Sequence, residues 1–240
     1  MKMKAFTTLF RTEAKLAIRG GDMVLFGILF PVGIMLLIGF ISAPTAIAPA
    51  FAGVASVGIC AAGLMGLPLT IASYRHEKIL KRFKVTPVSP LVLLLADIAI
   101  QTIVAWVSAL AVYLIARCVF GLHIVASPIR YMGTFLFVQF SVYGIGFLIA
   151  SLAPNIKTAN IVCTVVYFPT LFLSGATVPY RILPRGVQVF AEIFPLTQGI
   201  KLLEGVVTGT GAGTNTGSIL VLVCVAIVSY LISLRFFRWE

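Results

Sequence analysis

The sequence predicts an all-α polytopic membrane protein, and three observations carry that reading. Of its 240 residues 60% are apolar and only 10% are charged, with a mean hydropathy of +1.09. A soluble chain is roughly 45–50% apolar and about 25% charged, and a chain this short cannot bury so much apolar surface in a core of its own. Six stretches, 23–43, 51–73, 91–116, 128–152, 159–178 and 217–234, meet the need for about 20 apolar residues to cross roughly 30 Å of hydrocarbon. None has the alternation in segments of about ten residues that marks a membrane barrel.

In the first 22 residues Lys4, Arg11, Lys15 and Arg19 recur at helical spacing, while Phe6, Leu9, Phe10 and Ala17 fall on another face. This predicts an interfacial amphipathic helix with its basic side at the headgroups. The charged lead and the lack of a cleavage site make 23–43 a span and not a signal peptide. In the second span Gly58, Ala62 and Gly66 are spaced as small-xxx-small, a pattern for close helix contact within the chain or between two copies.

Segment 74–90 reads YRHEKILKRFKVTPVSP. Glu77 and Lys81 are four apart and can pair on a helix. Leu80 and Phe83 are apolar between the charges and suit a docking knob. Thr86-Pro87 must stop that helix. Ser89 then fits as N-cap, with Pro90 at the first helical position of the third span. Asp97 is the acidic residue that sits clearly inside a span, about 10 Å from its start. Farther on, Pro179, Pro184 and Pro195 cut 179–207 into short pieces. Val187, Phe190, Ala191 and Phe194 form one apolar face, and Leu196, Ile200, Leu203 and Val207 a second. Two helices too short to span predict a re-entrant hairpin, with Glu192, Lys201 and Glu204 as its polar groups. The glycine-rich 209–218 is a linker.

Thirteen of the 18 basic residues fall in 1–22, 74–90, at Lys157 and at the C-terminus. The positive-inside bias therefore puts both termini in the cytoplasm and the 179–207 hairpin outside. With that bias and anionic lipid, the net charge of +11 needs no nucleic acid. Cys60, Cys118, Cys163 and Cys224 stand singly, without metal-ligand spacing or a disulfide framework. His76-Glu77 opens like a zinc-protease helix, but Leu80 stands where the second histidine belongs. The chain has no phosphate-binding loop, so an ATP-driven function needs the ATPase on another chain.

LKRFKVTPVSP at 80–90 and FLSGATVPYRILPRGVQVFAEIFPLTQGIKLLEGV at 172–206 together resemble membrane subunits of ATP-binding-cassette exporters of the type-2 export family, most closely the drug and antibiotic branch. The order of elements matches over essentially the whole chain, as one permease domain of residues 1–240. The resemblance implies an integral subunit, in a bacterial inner membrane, that exports a lipophilic or amphipathic small molecule. It implies a second permease, identical or related, and two ABC ATPase subunits that carry the ATP and magnesium; this chain binds no cofactor or metal and is not itself an enzyme. It also implies that the 1–22 helix and the 74–90 loop, with Glu77, Leu80, Lys81, Arg82, Phe83, Thr86 and Pro87, sit on the ATPases. Pro179, Pro184, Glu192 and Pro195 then shape the external hairpin, and Tyr167, Phe168 and Phe172 border the route. Asp97 departs from the basic or neutral residue of many relatives, and Gln198 from a frequent aromatic. Export of a polysaccharide or lipid-linked glycan is the alternative within the class; a secondary carrier or a membrane-embedded enzyme is the alternative outside it.

Overall fold

The computed structural model describes residues 2–21, 24–79, 90–124, 127–178, 180, 184–210 and 216–236, and the regular structure among them is helical. Helix α1 is Lys2–Gly20. Among the described residues five helices are long and apolar enough to cross a membrane: α3 (Pro44–His76), α4 (Pro90–Phe120), α5 (Pro128–Leu152), α6 (Ile156–Leu173) and α9 (Thr216–Phe236). A shorter apolar helix, α2 (Leu25–Ile41), precedes them. Between α6 and α9 lie α7 (Arg185–Ala191) and α8 (Pro195–Thr208). This is an all-α polytopic membrane protein.

Among the described residues two helices contain a π turn, and each π turn runs into a proline. In α2 it covers Leu25–Leu29, just ahead of Pro31; in α3 it covers Ala62–Gly66, just ahead of Pro68. Proline has no N–H to return to the preceding turn, and its ring crowds the carbonyl there. The turn ahead opens into the wider π register instead of breaking.

Helix α3 is the axis of the molecule. Its most apolar stretch is 78% buried, against 28% for α4, α6 and α9. Small residues let it serve several neighbours at once. A Cβ at Gly58 would meet Ser108 and the Ala105 carbonyl, and one at Gly66 would meet Gln101. The Gly58–Ala62–Gly66 stripe thus faces α4 inside the chain. Gly63 faces α5 so closely that a Cβ at Gly146 would lie 2.0 Å from the Gly63 carbonyl oxygen. Near the other end of α3, a Cβ at Gly53 would lie 2.5 Å from the Gly175 carbonyl. That carbonyl is aimed by Gly175 itself, whose φ of +93° suits glycine best. The Leu173-Ser174-Gly175 landmark is therefore the elbow that stops α6, short of the end of the 159–178 stretch.

Polar side chains also tie the helices together. Trp106 Nε1 of α4 donates to Gln139 Oε1 of α5 at 3.1 Å, and Gln139 Nε2 donates to the Tyr143 hydroxyl at 2.9 Å. Helix α9 packs along α5, with Tyr230 Oη donating to the Phe140 carbonyl at 3.1 Å and Ser233 Oγ to the Phe147 carbonyl at 3.2 Å. Such bonds satisfy groups that lipid cannot satisfy.

Candidate functional site

The polar chemistry concentrates at the two ends of the bundle. At the hairpin end, α8 is embedded among α3, α5 and α9, with Leu196, Ile200, Leu203 and Val207 buried as their spacing predicts. Gly199 allows this approach, since a Cβ there would meet Val138 at 2.4 Å. Helix α7 differs: of its expected face only Ala191 is buried, and Phe190 is 53% exposed. One arm of the hairpin enters the bundle and the other lies on its surface.

Glu192 joins the two arms. It pairs with Lys201, accepts from the Tyr180 hydroxyl at 2.6 Å and accepts from Gln198 Nε2 at 2.8 Å. The same Gln198 amide donates to the Glu192 carbonyl at 2.9 Å, and Gln198 Oε1 accepts from Ser218 of α9 at 2.8 Å. Lys201 also stands 5.1 Å from the Tyr180 ring centre. Burial pushes the Tyr180 phenol up to about 12, helped by the bonded Glu192 carboxylate. Burial alone would raise the Glu192 carboxyl; the bonds from Lys201, Tyr180 and Gln198 outweigh it and hold the group below its ordinary value. Gln198, a departure from the family pattern, is thus the link between hairpin and α9. Sequence reasoning gave no role to it or to Ser218; the available signal was one amide amid the apolar α8 positions. Pro195 opens α8 at a position where its missing N–H costs nothing. Pro184 is exposed ahead of α7, and Pro179 lies outside the described residues.

At the other end, the inward face of α1 carries Phe6, Leu9, Phe10, Ala14 and Ala17 around a buried Glu13. Arg11, Lys15 and Arg19 are exposed. The apolar face packs on α4, so the helix is docked on the bundle as well as amphipathic. Glu13 sits beside Tyr74 of α3, and burial raises its carboxyl above the ordinary value despite the phenol. On α4, Asp97 is 3% and Gln101 0% exposed, with Gln101 Nε2 donating to Asp97 Oδ1 at 3.5 Å.

Helix α3 ends at His76, earlier than an unbroken Glu77–Phe83 helix requires. Glu77 turns back to accept from Ser73 Oγ at 3.1 Å, and Lys78 takes φ +59°, a left-handed conformation that ends a helix. Leu80, Lys81, Arg82, Phe83, Thr86 and Pro87 lie outside the described residues. So does Ser89; α4 begins at Pro90.

The three aromatics expected along a route do not share one surface. Tyr167 is buried, whereas Phe168 and Phe172 are 46% and 47% exposed, their rings stacked at 6.3 Å. With Ile161 and Val165 they form an outward apolar stripe on α6. Elsewhere a groove of about 520 Å³ opens between α4, α5 and α9, lined by Phe140, Tyr143, Phe147 and Tyr230 among others. No group of three or more metal-ligating side chains occurs among the described residues.

The family model described as ABC-2 type transporter matches residues 4–207. Nodulation protein J of Rhizobium meliloti (strain 1021) is 31% identical over 94 residues. That alignment takes in 38% of this chain and 35% of the relative's length. With the family model running from α1 through α8, this chain belongs to the ABC-2 type transporter family.

Proposed function

We propose that this chain is the membrane-spanning half of an ATP-driven exporter for a lipophilic or amphipathic small molecule. Permeases of its family are transport subunits that work with an ABC ATPase partner. The family match over 4–207 is the observation that carries the reading. In this proposal two ATPase subunits bind ATP and magnesium on the cytoplasmic side, where both termini and the 74–90 loop lie. A second permease, identical or related, faces the first across the α6 stripe of Ile161, Val165, Phe168 and Phe172. That exposed apolar stripe supports a route for cargo of low polarity. The α7–α8 hairpin closes the outer end, held by Glu192, and Pro179, Pro184 and Pro195 shape its breaks.

Coupling needs a rigid lever between ATPase and spans. Leu80 and Phe83 would be its apolar anchors, with Glu77, Lys81 and Arg82 as the charged rim and Thr86-Pro87 as its stop. An apolar anchor ringed by charge is the usual form of a hot spot, and losing one costs on the order of 2 kcal/mol or more. Phe83→Ala should therefore weaken ATPase association by roughly thirtyfold or more in co-purification while membrane insertion stays intact. Normal association and export by that variant would reduce the loop to a topology signal. Cargo class is read by offering the reconstituted complex a hydrophobic dye and a lipid-linked glycan: transport of the glycan alone would replace the proposed cargo.

A further inference from the structure

Asp97 and Gln101 leave a hydrogen-bond account unbalanced. Both are buried and one turn apart on α4. Gln101 Nε2 donates to Asp97 Oδ1 at 3.5 Å, but Asp97 Oδ2 and Gln101 Oε1 have no partner. Both orphans are acceptors as the atoms stand, so the missing piece is a donor. The Gln101 amide is not free to move away, because it lies over Gly66 of α3, where even a Cβ would come within 2.5 Å of Oε1.

Among the described residues, the groups that face Asp97 supply no positive charge. They are Glu13 of α1, Tyr74 of α3 with Glu77 beyond it, and Tyr143 of α5. Arg75, next to Tyr74, extends toward a different element and donates Nη1 to the Ala153 carbonyl at 2.9 Å. A bare carboxylate buried this deeply, with a second carboxyl nearby and no cation, is a costly arrangement. A proton on Oδ2 resolves both problems. The neutral acid then donates to Gln101 Oε1 while its other oxygen accepts from Nε2, a cyclic acid–amide pair with no orphan.

We propose that Asp97 and Gln101 form a proton-binding site, and that the proton held there is what lets Glu13 dock α1 against the bundle. The proton comes from water at the α1 end and returns there; no bond other than O–H forms or breaks. With the proton gone, Asp97 and Glu13 are two negative charges across the α1–α4 seam, and α1 is pushed off.

Infrared spectra of the full chain in bilayers test the site. Near about pH 7 a protonated-carboxyl carbonyl band should be present and should vanish in Asp97→Asn. Gln101→Leu should keep the band but move it to higher frequency, since the amide that weakens the carbonyl is gone. Where Asp97→Asn does not insert, the Gln101→Leu shift still decides. A nitroxide pair at Lys15 and Lys157 tests the docking. Its distance distribution should broaden at alkaline pH in the parent chain and broaden markedly less in Asp97→Asn, where only Glu13 is left to lose its proton. No band assignable to Asp97, no shift in Gln101→Leu, or equal broadening in both chains would overturn the proposal.

Discussion

At the hairpin end Glu192 is met by a lysine, a phenol and an amide, each within hydrogen-bond reach, and the group is partly open to solvent. At the α1 end Glu13 and Asp97 are buried against a phenol and an amide, and no cation among the described residues faces them. The same functional group is thus kept charged at one end and is under pressure to be neutral at the other. The difference teaches that charge inside a helical bundle is governed by its nearest partners, not by its depth alone. It also assigns different work to the ends. A charge-paired network fixes a hairpin in position, whereas a carboxyl pair without a cation makes docking conditional.

The largest effect should come from the axis that joins the two ends. Gly146→Val would drive a side chain into the Gly63 carbonyl, backbone against which nothing can rotate away. Overpacking of this kind costs typically 1–3 kcal/mol, and more where backbone must shift. A marked fall in thermal unfolding temperature should result, with both ends affected together. Loss at one end alone would mean that α3 does not join them.

The next experiment makes the same chemical change at both ends. Glu192→Gln replaces a paired carboxylate and should lower stability by about 1 kcal/mol, discounted for its exposure. Asp97→Asn replaces one neutral group by another and should cost less than that. Unfolding midpoints in detergent compare the two directly; a larger loss at Asp97 would mean that the α1 end carries charge as the hairpin end does.

A smaller effect, opposite in sign at the two ends, should follow pH. The Glu192 carboxyl is held below its ordinary value. Its contribution is therefore present above the unfolded value of about 4.5 and fades as pH falls through the folded one. The Glu13 carboxyl is raised. The native state binds more protons there, so α1 docking weakens as pH rises from about 4.5 through the folded value. Hydrogen exchange, corrected for its intrinsic pH dependence, should show α8 more protected and α1 less protected at the higher pH. Parallel changes would erase the contrast between the ends.

Much of this architecture was legible beforehand, for identifiable reasons. Apolar length exposes spanning helices, and the α8 face of Leu196, Ile200, Leu203 and Val207 is a full helical stripe, so its burial follows from spacing. The elbow at Gly175 and the π turns ahead of Pro31 and Pro68 are local consequences of residue type, though the π register itself was not anticipated. The polar partnerships were not legible. Gln198 meets Ser218 twenty residues away, and Glu13 meets Tyr74 across two helices; no periodicity encodes such pairs. Glu13 did leave a trace, standing on the apolar face of α1 between Phe10 and Ala17. Phe190 shows the opposite failure. Its stripe predicted burial, yet in a surface-lying helix of seven residues an apolar face can be turned outward.

The proposed function gives this chain the membrane path and puts the ATP chemistry on a partner. Reconstitution in sealed vesicles with a candidate partner ABC ATPase, and without, tests that most directly. The account predicts ATP-dependent movement of a lipophilic probe only when both are present, and no ATP hydrolysis by the purified chain alone. Hydrolysis by the single chain, or probe movement driven by an ion gradient without the ATPase, would contradict it.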